Sequence, residues 1–280
     1  MGLVLSTRSV APLDAKGAAL LGEAADAGAT LAARLGAPGG PDPAVAGRGA
    51  RFVYRRWVLE SLLVLGARGP MGFNDLRRAL GGLAGESLAS KLDDLALHGL
   101  LERERLPGPA RRVRLGLTPR GERLACATYA LVIAKSEHAR LLAGASSAVR
   151  APAPVAGLGS ARALRRFVAC TARFAREHGA RAPPAGLEDG LATARRFAKT
   201  CVRRWHGETL AALAFAGPLR FTGIRARLGA GDEALTRALS ELSRLRAVER
   251  TGGAYAITAE GRFDVAMGLP IPLLASLHAA

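Results

Sequence analysis

Aromatic side chains are scarce in this chain, at 5% of 280 residues. That shortage argues against the stacked aromatic platforms on which single-stranded nucleic acid is held without sequence preference. Cysteine is scarcer still. Cys126, Cys170 and Cys201 are odd in number and far apart, so they make neither a disulfide framework nor a CxxC zinc pattern. They imply a reducing interior and are read as buried structural thiols, with redox sensing as the alternative. No apolar run approaches the roughly 18 residues that a membrane span needs. The opening stretch MGLVLSTRSVAPLD lacks the basic region and clean apolar run of a leader. These absences lead to the expectation of a soluble, cytoplasmic protein without a membrane partner.

Catalytic signatures are missing as well. No phosphate-binding loop, nucleophile elbow or dinucleotide fingerprint is present. His206-Gly207-Glu208 has the H-x-E spacing of zinc deaminases, but the P-C-x-x-C that should follow is absent. His98, His138, His178 and His278 have no second histidine at ligand spacing. The expectation is a non-enzyme with no catalytic residue, metal or cofactor.

Acidic residues are also outnumbered. There are 40 Lys+Arg against 23 Asp+Glu, a net charge of +17, and nearly all of the cations are arginine. Arginine suits the planar, forked recognition of phosphate, so a polyanionic partner is expected. Counted by region, the net charge is 0 for residues 1–50, +6 for 51–124, +8 for 125–199 and +3 for 200–280.

What the chain does have is a phrase written twice. RRWVLESLLVLGARGPMGF begins at Arg55, and RRWHGETLAALAFAGPLRF begins at Arg203. Setting Trp57 on Trp205, an offset of 148, matches 11 of 26 positions without a gap, among them Glu60 with Glu208, Gly69-Pro70 with Gly217-Pro218 and Phe73 with Phe221. After a one-residue deletion Leu88, Leu92, Leu95 and Leu101 fall on Leu235, Leu239, Leu242 and Val248. LGLTPRG at Leu115 then faces YAITAEG at Tyr255. A period this long is a duplicated domain and not a solenoid.

Each copy reads as three helices and a hairpin. Trp57, Leu59, Leu62, Leu63 and Leu65 have helical spacing that Gly69 and Pro70 close. Asn74 and Thr222 are expected N-caps of a short second helix, each after a buried Phe. The leucines of the third helix fall at i, i+4 and i+7. LLERERL and RRVRLGLT in the first copy, and AVERT and AYAIT in the second, predict paired strands. The expected fold class is mainly α with small β-hairpin wings (α+β), two winged helix-turn-helix domains joined by a helical linker. The expected extents are 1–50 for an N-terminal helix and loop, 51–125 for the first winged domain, 126–198 for the linker and 199–280 for the second.

The run W-(x)n-GP-x-x-F-x-x-[LI]-R-x-x-L, followed by L-x-x-x-L-x-x-L, [LV]-E-R and [LY]-x-[LI]-T-x-x-G, resembles the HxlR-type winged-helix transcription regulators. The likeness covers residues 51–125 and 199–268. It implies a DNA-binding regulator without catalysis, whose flanking helices build a dimer interface. A duplicated chain can make that contact internally, as a monomer acting as a pseudo-dimer; a homodimer is the alternative.

Candidate contacts with double-stranded DNA follow from position. Ser90 and Lys91, with Thr236 and Arg237, lie on the third helices and are the expected readers of base edges. Arg103, Arg105, Arg111, Arg112 and Arg114 cluster on the first wing, and Arg250 lies on the second. In the linker, Arg162, Arg165, Arg166, Arg173 and Arg176 fall on one stripe of an expected helix from Ser160 to His178, opposite Leu164, Phe167, Val168 and Phe174. They are candidate phosphate contacts; a solvated helix face is the plainer reading. Both third helices open on acidic residues, Glu86 and Asp232-Glu233. A second functional reading is therefore a scaffold for a protein partner that kept the winged fold and lost sequence reading. Outside the repeats, residues 13–35 read as an alanine-rich helix weakened by glycines. The apolar stretch after the first wing, from Arg120, must be buried against something.

Overall fold

The computed structural model describes residues 14–33, 49–50, 52–55, 57–81, 85–107, 112–135, 160–179, 191 and 205–276. A first unit runs α2 (Val58–Arg68), β1 (Met71–Gly72), α3 (Phe73–Ala79), α4 (Gly85–Leu97), β2 (Leu101–Arg105) and β3 (Val113–Leu117). The same order recurs as α7 (His206–Ala216), β4 (Leu219–Arg220), α8 (Phe221–Leu228), α9 (Asp232–Arg244), β5 (Val248–Thr251) and β6 (Ala254–Ile257). Outside these, the described residues form α1 (Ala15–Ala33), α5 (Pro119–Lys135), α6 (Ser160–Gly179) and α10 (Ala259–Gly268), with a short α11 (Pro270–Ser276) after them. The chain is mainly helical, with two small antiparallel sheets.

Each wing is a three-stranded sheet, where sequence patterning gave only a hairpin. The added strands, β1 and β4, lie beside β3 and β6, so the orders are β1-β3-β2 and β4-β6-β5. The registers correspond: Met71 faces Leu115 as Leu219 faces Tyr255, and Arg103 faces Leu115 as Arg250 faces Tyr255.

Backbone details correspond as closely. Trp57 and Trp205, the residues before α2 and α7, both sit in the left-handed region, with φ of 78° and 76°. That conformation costs a bulky L-residue roughly 1–2 kcal/mol. At Trp57 the N–H donates to the Glu60 carboxylate at 2.8 Å, and that carboxylate is almost wholly buried. Gly99 turns the chain out of α4 at φ 63°, and Arg246 does the same after α9 at φ 57°.

The repeated T-x-x-G has a physical explanation. Thr118 donates its hydroxyl hydrogen to the Gly99 carbonyl and accepts from the Gly121 N–H at 3.1 Å; Thr258 makes the same two contacts with Arg246 and Gly261. The glycine of each motif lies so close to the preceding wing that an added Cβ would stand 2.0 Å from the Leu100 carbonyl oxygen, or 2.1 Å from that of Ala247. Only glycine admits this approach of helix to strand.

Two expected features differ. Asn74 and Thr222 do not cap their helices: α3 and α8 begin two residues earlier than such caps would place them, at Phe73 and Phe221, with Gly72 and Arg220 at the cap and no side-chain cap bond. Those two phenylalanines are partly buried, so the extended chain before them fixes the start. Gly28, read from sequence as a weakness in α1, is a point of contact, since a Cβ there would stand 1.9 Å from the Ala266 carbonyl oxygen of α10.

The flanking helices tie the chain together. α5 runs across position 125 and is buried on all sides from Leu124 to Ala134, against α2, α6, α10 and α11. α1 lies along α6 and α10. Phe263, Ala266 and Met267 of α10 join the core of the first unit, whereas Val265 joins that of the second. Tyr54 donates its hydroxyl to the Gly268 carbonyl. The Arg120 guanidinium donates to the carbonyls of His98, Leu274 and Ala275, bridging the end of α4 and the end of α11.

Candidate nucleic-acid interface

The third helix of each unit buries its leucine stripe and turns its other side to solvent. On α9, Leu235, Ala238, Leu239 and Leu242 are buried, and Thr236, Arg237, Ser240 and Arg244 are exposed. On α4, Leu88, Leu92 and Leu95 are buried and Ser90 is exposed. Lys91 departs from expectation. It is only partly exposed, and its ammonium lies 3.5 Å from the Asp94 carboxylate, which also faces Arg55 at 3.4 Å. Arg237 is exposed but paired with Glu233 at 2.6 Å.

Strand alternation sorts the wing arginines onto two faces. Arg103, Arg105 and Val113 share a face with buried Leu101 and Leu115, the side that turns toward α4. Arg114 lies on the other face, directly opposite Glu104 across the strands, and its Nε donates to the Pro70 carbonyl at 3.2 Å. Arg112 alternates onto that same outer face. Arg111 lies outside the described residues.

The two clefts between wing and third helix differ in what faces the shared inward arginine. In the first unit Arg103 donates to the carboxylate of Asp93 on α4. Arg250, the matching residue of the second unit, lies over the Tyr255 ring at 5.6 Å, within cation–π range. The position matching Asp93 is Ser240. Charge counting in sequence finds Arg103 and misses its partner, because a contact between helix and wing has no spacing that marks it. Comparing the two copies position by position is the signal that reveals it.

On α6 all five arginines, Arg162, Arg165, Arg166, Arg173 and Arg176, are exposed, and Ala163, Leu164, Phe167, Phe174 and Ala175 are buried. Val168 is partly buried. Arg173 is held by Glu177 at 3.0 Å, and Lys16 of α1 reaches the same carboxylate at 2.6 Å. Burial pushes the Cys126 thiol up to about 12. It raises Cys170 too, where the Glu23 carboxylate, 3.8 Å from the sulfur, acts in the same direction. Both are therefore thiols near neutral pH, and the thiolate is the reactive form. Cys201 lies outside the described residues. The H-x-E pattern does not converge on one site: His206 is buried, with Nε2 3.1 Å from Glu241, while Glu208 is exposed. Among the described residues no helix is long and apolar enough to cross a membrane.

Comparison with known proteins is informative for one part of the chain. No curated protein and no solved structure matches it. Residues 52–139, a span that holds α2 through α5 and the first wing, match the family model of the HxlR-like helix-turn-helix.

Proposed function

We propose that the protein is a regulator of transcription that binds double-stranded DNA through two winged helix-turn-helix units, arranged in one chain as a pseudo-dimer. The observation that carries the reading is the matched pair of clefts, in which an inward-facing wing arginine, Arg103 or Arg250, stands beside an outward-turned third helix. The second unit is taken as a copy of the first because its registers, its left-handed Trp and its T-x-x-G clasp correspond residue by residue. The pseudo-dimer is favoured by α5 and α10, the helices that follow each wing, which meet inside one chain. Ser90, Thr236 and Arg237 are the proposed base-edge contacts. The wing arginines and the five arginines of α6 are the proposed phosphate contacts, with Lys91 steadying α4 through Asp94.

The test is fluorescence anisotropy of the full chain with random-sequence duplex across a salt series. Each phosphate neutralised contributes about −0.9 to the log–log slope, so a slope of several units is expected. Because only one face of the wing turns toward α4, replacing Arg103 and Arg105 together by Ala should flatten that slope by about 1.8. The Arg112→Ala, Arg114→Ala pair should flatten it by less than half as much. Equal effects of the two pairs would remove the inward face from the proposal. Sedimentation should give a monomer; an obligate dimer pairing each unit with that of another chain would sink the pseudo-dimer.

A second reading, a scaffold for a protein partner, is favoured by one observation: the third helices are acidic overall. α4 carries one lysine against Glu86, Asp93 and Asp94, and α9 carries Arg237 and Arg244 against Asp232, Glu233 and Glu241. Negligible binding to duplex at low salt, despite a net charge of +17, would decide for it.

A further inference from the structure

The duplicated unit supplies an internal control. Two clefts share one backbone register, and they differ in what faces the inward wing arginine. In the first, the carboxylate of Asp93 holds the Arg103 guanidinium; both groups lie in solvent, with 64% of the Asp93 side chain and 44% of that of Arg103 exposed. In the second, Ser240 stands where Asp93 would be, and Arg250 rests on Tyr255.

A carboxylate paired with arginine occupies the donors that a phosphate would take, in the same forked geometry. We propose that Asp93 is an internal competitor for nucleic-acid phosphate. It holds Arg103 in the free protein, and the first unit grips duplex only by exchanging that carboxylate for a phosphate oxygen. The inward wing arginine of the second unit, Arg250, has no such exchange to make. This rests on the DNA-binding reading above and adds to it a residue that sets how the two halves share the work.

The geometry gives the exchange a definite sign. Asp93 is on the exposed side of α4 and supports no core contact, so its replacement by serine leaves the leucine stripe untouched. Breaking an exposed ion pair costs little, and removing the need to break it therefore changes affinity by a modest factor. Asp93→Ser should tighten binding to random duplex by about two- to fivefold at low salt, with the difference fading as salt screens the pair. Ser240→Asp, which installs the competitor in the second unit, should weaken binding by a similar factor of about two to five.

The experiment is the anisotropy titration of the full chain with random duplex for wild type, D93S, S240D, R103A and the double variant D93S/R103A. Thermal melts followed by circular dichroism would establish that all five are folded. The expected result is that D93S binds more tightly in the wild-type background and that its gain vanishes when Arg103 is already alanine. A gain of equal size in both backgrounds would overturn the proposal, because Asp93 would then only repel phosphate at a distance. Weaker binding by D93S would overturn it too, by making Asp93 a residue that positions the wing for binding. Binding by wild type with no change in D93S and S240D would discard the competitor and leave the DNA-binding reading standing. No binding by wild type and D93S alike would remove both.

Discussion

Trp57→Ala should cost about 3–5 kcal/mol of folding stability, the range for truncating a buried aromatic, read as a fall in the urea midpoint. Trp57 is 7% exposed, at the N-cap of α2. Trp205 holds the matching place in the second unit but is only partly buried, so Trp205→Ala should cost less, about 1–3 kcal/mol. The left-handed backbone adds an unusual expectation. Within a helix glycine does more harm than alanine, but Trp57 stands at the N-cap of α2, where glycine is the better tolerated of the two. At φ 78° glycine escapes a strain of roughly 1–2 kcal/mol that alanine keeps, and its larger entropy in the unfolded chain returns only about 0.5–1 kcal/mol of that. Trp57→Gly should therefore be the milder of the two variants. If it is clearly the harsher, the left-handed turn is not a feature of the folded protein in solution.

Gly28→Ala should destabilise by about 1–3 kcal/mol or more, the cost of overpacking a site that cannot yield. The added methyl would stand 1.9 Å from a backbone carbonyl, Ala266 O, which has no rotamer into which to retreat. Gly22, earlier on the same helix, has nothing within 4 Å of the place its added methyl would take. Gly22→Ala should thus stabilise by up to about 1 kcal/mol through helix propensity alone. Paired melting curves check both signs at once. No loss for Gly28→Ala would mean that α1 does not seat on α10 through Gly28, and a loss for Gly22→Ala would mean that the space beside Gly22 is not open.

These cases show where the sequence was readable. The leucine stripes of α4 and α9 were legible because burial of a helix repeats at the period of the helix itself. The two-residue strands β1 and β4 were not, since an alternation needs more than two positions to be seen. No local feature marks Trp57 or Trp205 as left-handed either, and a bulky tryptophan is not a residue that local preference would place there. Gly28 was read with the wrong sign, because a glycine that loosens a helix and one that lets two helices touch look alike in one dimension. In the candidate interface, the positions of the arginines were legible and their occupancy was not. The i, i+3 spacing of Lys91 and Asp94 did carry a signal; the contact of Arg103 with Asp93, ten residues away and across an element, did not.

The division of α10 between two cores has a consequence for how the protein can be taken apart. Val265 belongs to one core and its neighbours Ala266 and Met267 to the other, so a cut between the second unit's start and this helix takes Phe263, Ala266 and Met267 away from the core of the first unit. The protein should lose its structure in one cooperative step, with amide protons of α5 and α9 exchanging through the same global opening. On that expectation, two repeated units that look separable on paper should behave, in thermodynamic terms, as a single particle.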